Sequence, residues 1–105
     1  MNALSIPAPG RDAYREFIRS RDVSVGVYRL AAGAVDSQRP HSEDEVYYVL
    51  KGRAKFTGDG RTIDVHPGLC IFVAAGELHR FHDVVEALEV LVLFGPAEGT
   101  RAAGE

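Results

Sequence analysis

A single cysteine, Cys70, leaves the chain unable to form an internal disulfide. Its 12 Lys and Arg against 15 Asp and Glu give a net charge of −3, and the Lys and Arg are scattered with no basic run. Nucleic-acid binding would need a basic patch, and the sequence offers none. No apolar stretch approaches the ~18 residues that cross a membrane as a helix. The opening MNALSIPAPGRDAYREF lacks the charged start and apolar core of a signal peptide, so the expected location is cytoplasmic. Internal repeats, low-complexity tracts and a convincing long helix are absent too.

What remains is a chain of 105 residues, 46% apolar and 9% aromatic, which is the composition of one folded domain. The core is expected over about 23–95, after a lead-in of 1–22 and before a frayed tail of 96–105. Asp12 to Arg19 reads equally as a short helix or as an edge segment. Val23 to Leu30 alternates as a strand, with Val23, Val25 and Val27 on one face and Ser24, Gly26 and Tyr28 on the other. Val46-Tyr-Tyr-Val-Leu50 is β-branched and aromatic, with Lys51-Gly52 as the turn that ends it. Arg53–Thr57 and Arg61–Val65 form a hairpin about Gly58-Asp59-Gly60. Leu69–Val73 and Glu86–Phe94 complete roughly seven or eight short strands, an antiparallel sandwich or barrel of the jelly-roll kind.

Two histidines and one glutamate stand out. His41 and Glu45 are separated by three residues and enter an apolar strand, where period 2 puts positions 41, 43, 45 and 47 on one face. A buried imidazole and carboxylate need a partner, either each other or a cation. Downstream, the turn Ala74-Ala75-Gly76 leads to His79. Two-His, one-carboxylate sets hold divalent transition metals while leaving positions open for water, dioxygen or substrate. The alternative is a hydrogen-bonded His–Glu pair with no metal.

Together these segments resemble the two motifs of the cupin superfamily. Its first motif runs Gly, five residues, His-any-His, three or four residues, Glu, six residues, Gly. Here Gly33, Arg39-Pro40-His41, Glu45 and Gly52 keep those intervals. The second runs Gly, five residues, Pro-any-Gly, two residues, His, three residues, Asn, and Gly68, Ala74-Ala75-Gly76, His79 and Asp83 match it. Arg39 stands where the family has its first ligating His, Ala74 where it has Pro, and Asp83 where it has Asn.

The resemblance implies a small all-β cupin barrel with one divalent metal (Zn, Fe, Mn or Ni) on His41, Glu45 and His79. It also implies an oxygenase, isomerase or lyase of a small organic molecule, or else a non-enzymatic binding or sensory cupin. Cupins of this kind commonly pair, so a homodimer is expected, through an edge strand near Val23–Leu30. A guanidinium cannot ligate a metal, so Arg39 is expected outward; a one-residue shift at Pro40 would bring in Gln38 as a candidate fourth ligand. Tyr47 and Phe81 are expected to line the pocket. His82 should face away, His66 should be solvated, Cys70 should be a small buried hydrophobe, and Asp36, Glu43 and Asp44 should form a solvated acidic loop.

Overall fold

The fold is described from a computed structural model over residues 1–37 and 39–101. Gln38 therefore lies outside the described residues. Six strands form one antiparallel, jelly-roll sheet: β1 (Tyr14–Arg19), β2 (Ser24–Leu30), β3 (Asp44–Gly58), β4 (Arg61–Val65), β5 (Cys70–Val73) and β6 (His79–Gly95). Their order is β1-β2-β6-β3-β4, with β5 also paired to β3. No helix interrupts residues 40–95.

The strand count is lower than the turn spacing suggests because two strands are long. β3 and β6 pair from Asp44↔Gly95 to Gly58↔His79, with irregular register between Val49 and Lys55. Gly52, read from sequence as a turn, sits inside β3 at φ +99°. A Cβ there would lie 2.4 Å from the Ala87 carbonyl oxygen, so only glycine lets the two backbones cross this closely. Asp83 makes the matching break in β6, with φ of 48°. Counting each long strand as two halves gives eight, within the expected seven or eight.

The ambiguous segment after Asp12 is a strand, β1, which lies at the edge of the sheet. The Val23–Leu30 segment, expected to be an edge strand, is not one, because β2 is paired on both sides, to β1 and β6. Its inward face is the one carrying Ser24, Gly26 and Tyr28, all buried. The Tyr14 ring fills the place of a side chain over Gly26: a Cβ there would come within 2.3 Å of it. Asp59 and Gly60 both have positive φ, the geometry of a tight two-residue hairpin turn between β3 and β4.

Three further expectations are corrected. Cys70 is exposed: in β5 it is Ile71 and Val73 that point inward, while Phe72 is 64% exposed. Asp36 and Glu43 are buried and not solvated. Asp36 accepts from the Tyr28 hydroxyl at 2.6 Å and from the Phe81 N–H at 2.9 Å, tying the loop before β3 to β2 and β6. The tail holds its place as far as Arg101, with Ala97 buried, because Glu43 accepts the N–H groups of Gly99 (2.8 Å) and Arg101 (3.0 Å).

Candidate functional site

The loop before β3 and the turn before β6 are stitched together. Gly76 donates its N–H to the His41 carbonyl at 2.7 Å, and Ala75 donates to the Asp44 carboxylate at 2.9 Å. Glu45 opens β3 opposite Val73 of β5. The turn then delivers His79 beside it, with Nε2 3.2 Å from Glu45 Oε1 and both side chains 1% exposed. Tyr47, two residues along the same face, puts its hydroxyl 3.1 Å from that nitrogen. Phe56 and Phe81 pack edge-on around the Tyr47 ring, at 5.8 and 5.0 Å. Tyr47 and Phe81 are thus buried aromatic wall, and Tyr47 also reaches the polar centre.

His79 Nδ1 lies 2.8 Å from the Glu77 carbonyl, so that nitrogen carries the proton and Nε2 presents a lone pair. Neither oxygen of Glu45 has a hydrogen-bond partner, although the residue is buried. Two lone-pair atoms do not face each other stably at 3.2 Å in a dry interior without a proton or a cation between them. A proton on His79 is one solution. Burial opposes it, but Glu45 and the Glu77 carbonyl outweigh burial and raise the His79 pKa above its ordinary value. A metal ion is the other. Donor atoms bound side by side at ~2.1 Å from one ion stand ~3.0–3.4 Å apart, which matches this pair.

His41 stands just outside that geometry. Its ring lies edge-on to Phe94 at 4.7 Å, and its centroid is 6.3 Å from that of His79. Imidazoles sharing an ion in adjacent positions have centroids roughly 4.6–5.3 Å apart, so His41 would need to close by about 1 Å. Accordingly, no group of three His, Cys, Asp or Glu among the described residues is close enough to hold an ion as it stands. His41 Nδ1 instead meets Glu98 Oε2 at 3.4 Å.

The other named residues fall outside the centre. Arg39 is exposed. His82 points away, bonded to Thr57 at 2.7 Å and Asp83 at 2.9 Å. His66 is exposed in its turn. Sequence reasoning missed two residues that matter here, Glu98 and Tyr14. Glu98 lies beyond both motifs and carries no signal of its own. Burial, and then the nearby Glu16, Glu45 and Glu43, raise its pKa against the opposing pull of His41. Tyr14 brings a buried hydroxyl with no hydrogen-bond partner, its pKa raised by burial and by Glu98, Glu16 and Glu45.

A short antiparallel barrel with an acid–histidine centre between its two long strands defines a class of small jelly-roll proteins. Residues 26–94 match the cupin domain, and the chain belongs to that family. An uncharacterised protein of Streptomyces coelicolor is 50% identical over 86 residues, 82% of each chain. Among solved structures, a DMSP lyase from Ruegeria pomeroyi is 26% identical with a TM-score of 0.68, over 72% of this chain and only 39% of that one. A Streptococcus pyogenes protein of unknown function is 27% identical with a TM-score of 0.67, over 78% of this chain and 71% of that one. KdgF from Halomonas sp., at 20% identity and a TM-score of 0.71 over 79% and 76%, shares the fold.

Proposed function

We propose that this cupin binds one divalent transition metal through Glu45, His79 and His41 and acts on a small organic molecule. The observation that carries the reading is the Glu45 carboxylate: buried, without a hydrogen bond, and 3.2 Å from the lone-pair nitrogen of His79. Zn, Fe, Mn and Ni all suit this donor set. The ion would supply Lewis acidity and open positions for substrate. Beside it, Tyr47 can hold or pass a proton at its hydroxyl, which favours isomerase- or lyase-type proton transfer over oxygenase chemistry. The similarity to a lyase structure supports that class of reaction and leaves the substrate open. Phe56, 5.9 Å from the His79 ring, also lines a surface cavity of about 290 Å³ that meets Arg61 and Glu77, a route by which a small polar molecule could approach.

A second reading, a non-enzymatic binding or sensory cupin, is favoured by the closure of the site: Glu45 and His79 are each 1% exposed. A cytoplasmic homodimer remains part of the proposal. Its contact moves from β2 to the outer face of β3 and β5, where Tyr48, Cys70 and Phe72 are exposed; Phe72→Glu should convert a dimer to monomer by light scattering.

The metal is tested by elemental analysis after dialysis against a chelator and reloading. Wild type should retain one ion per chain, and His79→Ala should lose it while staying folded, because apolar strands supply the core. Full retention by His79→Ala would overturn the site. Turnover that proceeds equally with and without oxygen supports proton transfer, and stoichiometric binding without turnover supports the sensory reading.

A further inference from the structure

Both candidate ligand histidines have an oxygen close to Nδ1. For His79 the oxygen is the Glu77 carbonyl at 2.8 Å; for His41 it is the Glu98 carboxylate at 3.4 Å. A metal-binding imidazole needs a lone pair on one nitrogen and an acceptor for the proton on the other, and that acceptor fixes the tautomer and the ring's orientation. We propose that Glu98 is the positioning residue for His41, holding Nδ1–H so that Nε2 is the ligating atom. The assignment rests on the metal reading above.

Glu98 does not reach His41 by chance of a loose surface chain. Its backbone is pinned on both sides, with its N–H donated to Ser24 Oγ at 2.9 Å and its carbonyl accepting from Arg19 Nη2 at 2.7 Å. Ala97 before it is buried, and Gly99 after it donates to the buried Glu43. The C-terminal segment is therefore a strap across the end of the barrel, and the side chain it presents toward the centre is Glu98. Arg39 in place of a first ligating histidine leaves the centre one imidazole short, which puts more of the affinity on how well His41 is aimed. The carboxylate behind His41 serves that need, because a charged acceptor makes the imidazole a more basic ligand than a neutral one does.

The test uses chelator-stripped protein titrated with Co²⁺, comparing wild type with Glu98→Ala and Glu98→Gln. Affinity is read by calorimetry, the ligand set by the visible spectrum of the bound ion, and the fold by the melting temperature of the metal-free form. Glu98→Ala should weaken Co²⁺ binding by about 10–100-fold and alter the spectrum. Glu98→Gln, which keeps an acceptor oxygen, should restore most of the affinity. The loss should vanish in a His41→Ala background, since there is then no ring to position. Wild type that binds no Co²⁺ overturns the metal reading and this assignment with it. Wild type and Glu98→Ala binding alike overturns this assignment alone. So does a loss of affinity that Gln fails to rescue and that persists without His41, which would mark a role confined to docking the strap.

Discussion

Removing the Glu43 carboxylate should release the C-terminal strap while leaving the barrel intact. Glu43 is 1% exposed and accepts three bonds: from Gly99 N–H at 2.8 Å, Arg101 N–H at 3.0 Å and the Ser42 hydroxyl at 2.5 Å. A hydrogen bond to a charged acceptor contributes ~1.5–3 kcal/mol, so the two main-chain bonds together are of the order of 3–6 kcal/mol. In Glu43→Ala those N–H groups can turn to water once the strap lifts, so the loss appears as local opening and not as global unfolding. Ser24 and Arg19 still hold Glu98, so a loss near the lower end, ~3 kcal/mol, is the working value, and it raises the open population about 100-fold. Hydrogen exchange by NMR measures this directly. The Gly99 and Arg101 amides should exchange about 100-fold faster in the variant, with those of Val90 and Val92 in the barrel core unchanged. Unaltered protection at Gly99 and Arg101 would refute the reasoning, and so would equal acceleration throughout β6. The same release should occur in acid. Burial alone would raise the Glu43 pKa, but the Ser42, Gly99 and Arg101 bonds outweigh it and hold the value below the ordinary carboxylate range. A depressed folded pKa gives stabilisation that is present above the unfolded value of ~4.3 and lost as pH falls through the folded one.

Gly52→Ala should destabilise the barrel by about 2–4 kcal/mol, from the positive φ and the clash with the Ala87 carbonyl, and lower the melting temperature by roughly 10–20 °C; an unchanged melting curve would mean β3 and β6 can part there freely. In metal-free protein the raised His79 pKa stabilises the fold below the unfolded value of ~6.5, and that contribution is lost as pH rises through the folded value, so the urea midpoint should fall as pH is raised above ~6.5. Metal uptake should run the other way and weaken as pH falls through the raised His79 value, because ligation needs neutral imidazole; a metal affinity independent of pH would exclude His79 and His41 as ligands. Cys70 should react with a thiol reagent at native conditions, in one rapid phase, as its exposure requires.

Alternation made the strands legible, and it failed where alternation is ambiguous. Cys70-Ile-Phe-Val73 is apolar at every position, so nothing in the run says which pair faces inward, and a slip of one residue exchanges the faces. Pairing with β3 decides it: Glu45↔Val73 and Tyr47↔Ile71 place Val73 and Ile71 beside buried residues, leaving Cys70 and Phe72 outside. Gly52 misled for a related reason. A glycine after Lys51 reads as the end of a strand, whereas here it is the point at which a strand of 15 residues bends past its neighbour.

The site divides along the same line between local and distant causes. The meeting of Glu45 and His79 was legible because short intervals and a period of 2 are local properties of the chain, whereas the His41 ring stands 6.3 Å from that of His79. Period 2 also places Glu43 on the inward face, and despite its charge it is buried there. A carboxylate stays buried when donors come to it, and the donors for Glu43 lie 56 and 58 residues away, in a tail whose composition predicts fraying. Glu98 is hidden in the same way, since its contact with His41 exists only once Glu43, Ser24 and Arg19 have pinned the strap. The inner part of the centre can therefore be read from spacing within the two motifs. The part that orients His41 depends on a third segment, brought in by buried polar bonds that no local pattern encodes.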